Sequence, residues 1–544
     1  MGLSPALEVK DGSVKAALQW AMLAGALALL NASLTFDNVW PTLSVHLSAA
    51  LSIEVALCVL AIIVAARWFR TPSPAAVRIL AAIWVFLVIG RYEDVTARSL
   101  YGRDINLYWD LRNLPSVGAM LSFVAKPWLV AATIAGVALV PLIIYLPLWW
   151  ALRCVTNASK DSRVRHVLTA VAGGVVVVGA AQALGVPVPR NLRVVEPVTG
   201  VYARQARQFT YEISGAGLRA LPPAPTTRSN FGLVKGADVL LLAVESYGAV
   251  SWDRPALVEA LAASRRRLDT DIRDTGRRVV SALVESTTFG GKSWLAHVSL
   301  LSGNEVRDEQ TSVRLMSQRR ETMVNAFSRH GYRTVAIMPG VRSAWPEGAF
   351  YGFDQIYDLA RLGYHGPSFG WWNITDQFAL ARMDALEIAS HPRQPVFIFF
   401  PTISTHTPFT PAPPYQPDWS RILTSTPYDD EELARAWAQE PDWFNLGPSY
   451  AQALDYFYAS LGGYLRLRAD RDFVMVLIGD HQPPAMVSGE GATWDVPVHV
   501  VTNRVQVVDR LLQRGFREGL RPSGPSAIKM NGLLPLLLDA FGEE

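Results

Sequence analysis

Three stretches of the chain combine residue types that could hold a metal ion and move a phosphoryl group. The run Val239-Leu240-Leu241-Leu242-Ala243-Val244 ends in Glu245-Ser246. A second run, Phe473-Val474-Met475-Val476-Leu477-Ile478, ends in Gly479-Asp480-His481. Between them lies Gly290-Gly291-Lys292-Ser293-Trp294, a glycine-rich turn that carries a hydroxyl. Two carboxylates, an imidazole and a serine oxygen form a donor set for one divalent ion. Serine is a weak nucleophile at its ordinary pKa and needs such activation.

The elements that must position these residues read as strands. Short continuous apolar runs are expected of strands buried on both faces of a parallel sheet, and open α/β sheets bind ligands at the carboxyl ends of such strands. Strands are expected at Val239–Val244, Val279–Val284, Thr334–Met338, Val396–Phe400 and Phe473–Ile478, with helix-like stretches such as Arg254–Arg273 and Thr322–His330 between them. The alternation predicts an α/β domain, mostly parallel, with helices on both faces. Each site residue has an ordinary reading too. Glu245 could be a strand-end carboxylate satisfied by a helix, and Ser293 competes with Ser286, Thr287 and Thr288. His297, a helical turn beyond Ser293, is either near the site or a core residue, and His499 belongs to a late strand. Trp371-Trp372 and Asp376-Gln377 either line the pocket or pack.

A chain of 544 residues is too long for one ordinary domain. Its apolar content of 50% is concentrated in the first third, and a net charge of +3 gives no footing for nucleic acid. The two cysteines, Cys58 and Cys154, supply neither a disulfide framework nor a thiolate zinc site. Apolar segments fall at Val14–Phe36, Leu43–Ala66, Ala75–Gly90, Phe123–Trp150 and Val167–Val186, the third being short and containing Arg78. The expected organisation is a five-helix transmembrane domain (1–186), a Pro- and Arg-rich juxtamembrane connector (187–235) and a catalytic domain (236–544). Lys10, Lys15, Arg67, Arg70, Arg153, Lys160, Arg163 and Arg165 favour cytoplasmic placement of their loops, which puts the catalytic domain outside. The loop from Arg91 to Lys126 runs against that pattern with four arginines of its own, and its aromatic residues suit either the headgroup level or simple packing on the bundle. Glu54, inside the second segment, is either functional or paired with a neighbouring helix.

Glu245-Ser246 after a strand, the Gly-Lys-Ser turn, Ser404-Thr405-His406-Thr407-Pro408 and Gly479-Asp480-His481, in that order behind five spans, resemble the lipoteichoic acid synthases. More broadly they resemble the phosphoglycerol and phosphoethanolamine transferases of the alkaline phosphatase/sulfatase superfamily. The resemblance implies Glu245, Ser293, Asp480 and His481 as metal ligands and Ser293 as nucleophile. It implies one divalent cation, Mn2+ favoured, with Zn2+ or Mg2+ admissible. Lys292 either neutralises the phosphate or points to solvent. His406 would contact the phosphate or protonate the departing oxygen. Trp345 falls where the family grips the headgroup with Trp-Asn-Arg, but here the run is Trp345-Pro346-Glu347, leaving Arg342 as a substitute.

The implied activity is transfer of a phosphoglycerol-type group from a membrane phospholipid, phosphatidylglycerol foremost, through a phospho-serine to a glycan or glycolipid acceptor. The implied location is the bacterial inner membrane with an external catalytic domain. A phosphoethanolamine transferase is the nearest alternative, weakened by the want of cysteines in the external part. A sulfatase lacks its Cys/Ser-x-Pro-x-Arg motif, a phosphatase would want a second metal cluster, and an inactive scaffold would not need the intact set.

Overall fold

The computed structural model describes residues 5–543 apart from 41, 70, 102, 125–126, 190–191, 216–219, 224, 226–227, 343–344, 371–372, 391–392, 523 and 527. Arg70, Lys126, Trp371 and Trp372 therefore lie outside the described residues, as do the side chains of Lys10 and Lys15. The chain divides into two units: residues 1–99 with 104–216, and residues 100–103 with 217–544.

The first unit is helical. Among the described residues, four of its helices are long and apolar enough to cross a membrane: Ala17–Thr35 within the first helix, Pro74–Tyr101, Pro127–Ala158 and Ser162–Ala183. Two segments depart from expectation. The second yields a helix of only 16 residues, Ile53–Trp68, because the chain before it is spent on a short antiparallel pair (Asp37–Asn38 with Val45–His46) and a serine cap at Ser52. The third continues past its apolar stretch to Tyr101, so Arg91 and Arg98 sit in a helix rather than a loop. The helix tolerates Arg91 because its guanidinium donates to the Phe36 carbonyl (2.9 Å) and to Asp37 (2.6 Å). The aromatic stretch beyond forms the helix Leu107–Val124, tied to the helix Val198–Ser214 where Trp109 Nε1 donates to Glu212 (2.9 Å). That second helix occupies much of what reads as a connector. Glu54 accepts from the Ser52 hydroxyl (2.9 Å) and the Thr199 amide (3.3 Å), which assigns it to pairing within this unit.

The second unit is built on a nine-stranded sheet. In chain order its strands are β1 (Asp238–Val244), β2 (Arg278–Glu285), β3 (Arg333–Met338), β4 (Gln355–Asp358), β5 (Val396–Pro401), β6 (Phe473–Gly479), β7 (Asp495–Thr502), β8 (Arg517–Glu518) and β9 (Ile528–Lys529). They lie in the order β8-β2-β7-β6-β1-β5-β3-β4, with β9 also paired to β2. The run from β6 through β1, β5 and β3 to β4 is parallel, while β7 is antiparallel to both neighbours, so β2 points the same way as β6.

All seven residues of β1 and of β6 are buried, as the unbroken apolar runs require. The period-2 alternation of a strand divides them between two cores. Leu240, Leu242 and Val244 pack with Met475 and Leu477 under the helices Ala262–Asp274, Asp376–Met383 and Gly447–Leu467. Val239, Leu241 and Ala243 pack with Val474 and Val476 under the helices Ser293–Ser302, Met323–Arg329 and Leu533–Ala540. Each fully buried leucine here contributes about 1.5–3 kcal/mol over an exposed one. The result is a stiff central pair of strands whose carboxyl ends coincide.

Candidate functional site

The site follows from register. In the parallel pair β1–β6, Val244 stands opposite Gly479, so the next residues, Glu245 and Asp480, emerge side by side. Strand β5 ends beside β1, with Ala243 opposite Pro401, and delivers the loop that carries His406. Strand β2 runs in the same direction and is followed by the turn with Ser293. That turn needs glycine: Gly290 and Gly291 have φ of 66° and 145°, and Lys292 follows at 64° before the helix Ser293–Ser302 begins. The reversal sets Ser293 at a helix N-terminus, where the backbone dipole favours an anion.

Ser293 Oγ donates to Glu245 Oε2 (2.8 Å) and lies 3.2 Å from His481 Nε2. The rival hydroxyls are occupied otherwise. Ser286 donates to the Asp480 carbonyl, Thr287 to the Leu295 carbonyl and Thr288 to the Gly291 carbonyl. Ser293 is thus the hydroxyl of this segment that meets the carboxylate–histidine cluster.

Glu245, Asp480 and His481 are all buried, and one ligand atom from each lies within 4.8 Å of the others. Asp480 Oδ1 accepts the amides of Ser246 (2.8 Å) and His481 (2.7 Å), while Asp480 Oδ2 is buried without a hydrogen-bond partner among the described residues. His481 Nδ1 lies 2.7 Å from the Gln482 carbonyl, which can only accept, so Nδ1 carries a proton and Nε2 faces the cluster. Burial alone would lower the His481 pKa, but the charges of Asp480 and Glu245 overcome it and raise it to about 9. Burial, then the neighbouring Glu245 charge, pushes Asp480 up. Burial would raise Glu245 as well, but the His481 charge and hydrogen bond hold it well below the usual carboxylate range. A protonated His481 thus supplies the positive charge that the buried Glu245 carboxylate demands. A divalent cation fits the same place: the donor set is oxygen and nitrogen, and Asp480 Oδ2 is an orphaned acceptor.

The other expected residues fall at varied places. Lys292 does not point to solvent; its side chain is 11% exposed and its ammonium pairs with Glu309. Thr405, beside His406, donates to the Glu245 carbonyl (2.5 Å), and the His406 charge helps hold Glu245 low, so the loop reaches the cluster. His406 Nδ1 is 2.7 Å from the Thr407 carbonyl. Arg342 is exposed on the loop after β3, at the same edge of the sheet. The Trp345 ring stacks on Tyr351 (5.7 Å between centroids) and packs into the apolar layer behind that loop. His297 lies near the cluster, its Nε2 3.9 Å from Asp480 Oδ2, and burial lowers its pKa to about 4. His499 sits in β7 between Ser281 Oγ (2.7 Å) and the Tyr247 hydroxyl (2.9 Å).

Three further residues support the site, and of these the sequence motifs include Ser246 alone. Ser246, at φ 54°, donates its hydroxyl to Glu245 Oε1 (2.9 Å). Tyr450, from the helix Gly447–Leu467, donates to the Ser246 carbonyl (2.8 Å). Glu309 holds Lys292. The Tyr450 and Glu309 contacts join separate parts of the chain, which a motif search does not see.

On a chain with apolar N-terminal helices, residues 297–499 match the family model described as Sulfatase. The match begins just after Ser293 and contains the His406 loop and Asp480-His481. Among solved structures the chain is similar to the lipoteichoic acid synthase LtaP from Listeria monocytogenes, at 15% identity over 57% of this chain and 79% of that one, TM-score 0.36. It is also similar to the integral membrane lipooligosaccharide phosphoethanolamine transferase A (EptA) from Neisseria meningitidis, at 12% identity over 95% of both chains, TM-score 0.47. A third is the Streptococcus pyogenes phosphoglycerol transferase GacH in complex with sn-glycerol-1-phosphate, at 12% identity over 59% and 94%, TM-score 0.34. No curated protein matches significantly.

Proposed function

We propose that the chain is a metal-dependent phosphotransferase that moves a phosphoglycerol-type group from a membrane phospholipid, phosphatidylglycerol, to a glycan or glycolipid acceptor. The observation that carries this reading is the convergence of Ser293 Oγ on Glu245 and His481 at a helix N-terminus. Glu245, Ser293, Asp480 and His481 would hold one divalent ion, Mn2+ favoured. When bound, it lowers the pKa of the serine hydroxyl and offsets charge on the phosphoryl oxygens.

Ser293 Oγ, whose proton leaves to solvent as its pKa is lowered, attacks phosphorus, and the bond from phosphorus to the diacylglycerol oxygen breaks. His406 gives that departing oxygen its proton. The acceptor hydroxyl then loses its proton to His406, bonds to phosphorus and releases Ser293. The helix N-terminus stabilises the phosphoryl charge in both steps. Arg342 and Trp345 are assigned to the headgroup side, and Lys292, held by Glu309, to support of the turn bearing the nucleophile. The apolar helices would keep the site at the bilayer of a bacterial inner membrane, with the catalytic domain on its outer side. Both cysteines are free and lie in the helical unit, which gives a disulfide-stapled phosphoethanolamine transferase less support.

The test is diacylglycerol release by the detergent-solubilised protein with Mn2+, from phosphatidylglycerol and phosphatidylethanolamine in parallel, with intact-mass analysis. Release from phosphatidylglycerol with a phosphoglycerol-sized adduct absent in Ser293→Ala is the expected result. Release from phosphatidylethanolamine alone would transfer the reading to the phosphoethanolamine alternative.

A further inference from the structure

Asp376 is wholly buried, yet its carboxylate touches no cation among the described contacts. Its Oδ1 accepts the Ile403 amide (2.9 Å) and its Oδ2 accepts the Ser404 amide (3.0 Å), while its own amide donates to Ser404 Oγ (3.2 Å). The helix Asp376–Met383 does not require this carboxylate for its start, because Thr375 already caps it by accepting the Phe378 amide (3.2 Å). A buried ionisable group is costly unless its hydrogen bonds are met, and here both oxygens are given to one turn. The opposite side of that turn is fastened to the metal-binding strand. The Thr402 amide donates to the Ala243 carbonyl (2.9 Å), Thr402 Oγ1 accepts the Glu245 amide (3.1 Å), and Thr405 donates to the Glu245 carbonyl. The neighbouring Gln377 serves a different end, its side-chain oxygen accepting the Gln416 amide (3.0 Å).

We propose that Asp376 is a positioning residue: by gripping the amides of Ile403 and Ser404 it sets the turn from which His406 meets the reacting phosphate. The inference rests on the phosphotransfer reading for the part His406 plays. Asp376 acts on the loop, not on substrate. An asparagine in its place keeps one acceptor and turns an NH2 group against the second amide, so the turn loses one bond and gains a repulsion.

The test uses the full-length Mn2+-loaded protein as wild type, Asp376→Asn, Ser404→Ala, His406→Ala and the double variant Asp376→Asn/His406→Ala. Amide exchange over residues 402–406 should quicken roughly tenfold in Asp376→Asn and less in Ser404→Ala, with 239–244 and 473–479 unchanged. Turnover of phosphatidylglycerol and of bis(p-nitrophenyl) phosphate should fall about tenfold to a hundredfold at little change in KM. The double variant should be no slower than His406→Ala alone within about threefold, because both substitutions remove one function. Unchanged exchange over 402–406 would overturn the proposal, as would losses that multiply in the double variant. Wild type that turns over only the p-nitrophenyl ester would remove the lipid reading and leave this test intact. Wild type that turns over neither would remove the phosphotransfer reading, and with it the role given to Asp376; exchange would then report only the tether.

Discussion

Ser293 Oγ gives its single proton to Glu245 Oε2 while lying 3.2 Å from His481 Nε2. With that proton committed, the histidine must be the donor to the serine, and its other nitrogen already donates to the Gln482 carbonyl. Both ring nitrogens then carry protons, in agreement with the raised pKa of about 9. The cluster is therefore an imidazolium beside the Glu245 carboxylate and the serine hydroxyl, with Asp480 pushed toward its neutral form by burial and the Glu245 charge.

Removing the hydroxyl tests the nucleophile. Ser293→Ala should lower diacylglycerol release by roughly a thousandfold or more and abolish the phospho-adduct. The unfolding midpoint should stay close to wild type, since the residue sits at a turn and not in a core. Activity persisting in the variant would redirect the assignment to Thr288 or Thr287.

Loading with a cation should expel the His481 proton. Titration calorimetry in buffers of different ionisation enthalpy should register proton release below pH 9, with apparent Mn2+ affinity rising about tenfold per pH unit where one proton is displaced. Affinity indifferent to pH between 6 and 9 would contradict the His481 ligand assignment. His481→Ala should weaken binding by at least about two orders of magnitude.

Gly479 admits no side chain. A Cβ there would lie 1.8 Å from the Tyr247 carbonyl oxygen, a backbone atom that cannot swing aside. Gly479→Ala should cost about 3 kcal/mol or more and separate Glu245 from Asp480, to be read as a lowered unfolding midpoint together with lost Mn2+ binding. A stable, metal-binding variant would show that the end of β6 is looser than its packing implies.

His499 gives a pH dependence independent of the metal. Burial lowers its pKa to about 3, so the folded protein resists protonating it while the unfolded chain does so near 6.5. Stability is intact above about pH 6.5 and declines as pH falls toward 3, by on the order of a few kcal/mol. His499→Gln, which keeps an acceptor for the Tyr247 hydroxyl, should flatten the acid limb of a denaturation series. An unaltered limb would place the acid sensitivity elsewhere.

The central strands were legible because a parallel strand buried on both faces leaves an unbroken apolar run, and Glu245, Asp480 and His481 stood out as the polar residues that end such runs. Strands β8 and β9, two residues each, leave no pattern to read. The third apolar segment stops at Gly90 in the sequence because Arg91 resembles a helix boundary; the partners that let the helix continue, Phe36 and Asp37, lie more than fifty residues earlier in the chain. The restraint of Lys292 by Glu309 and the grip of Asp376 on the 403–404 amides were hidden for the same reason. Local pattern reports burial and periodicity, whereas the partner of a buried charge is set by tertiary contact.

The pairing of β1 with β6 joins residues far apart in the chain: 234 positions separate Ser246 from Asp480. A growing polypeptide cannot bring Glu245, Asp480 and His481 together until β6 has emerged and slotted beside β1. Partial chains would offer an ion only scattered carboxylates. Any cation the cluster takes up would therefore be met only after β6 has paired with β1, and its identity would depend on the medium around the finished fold.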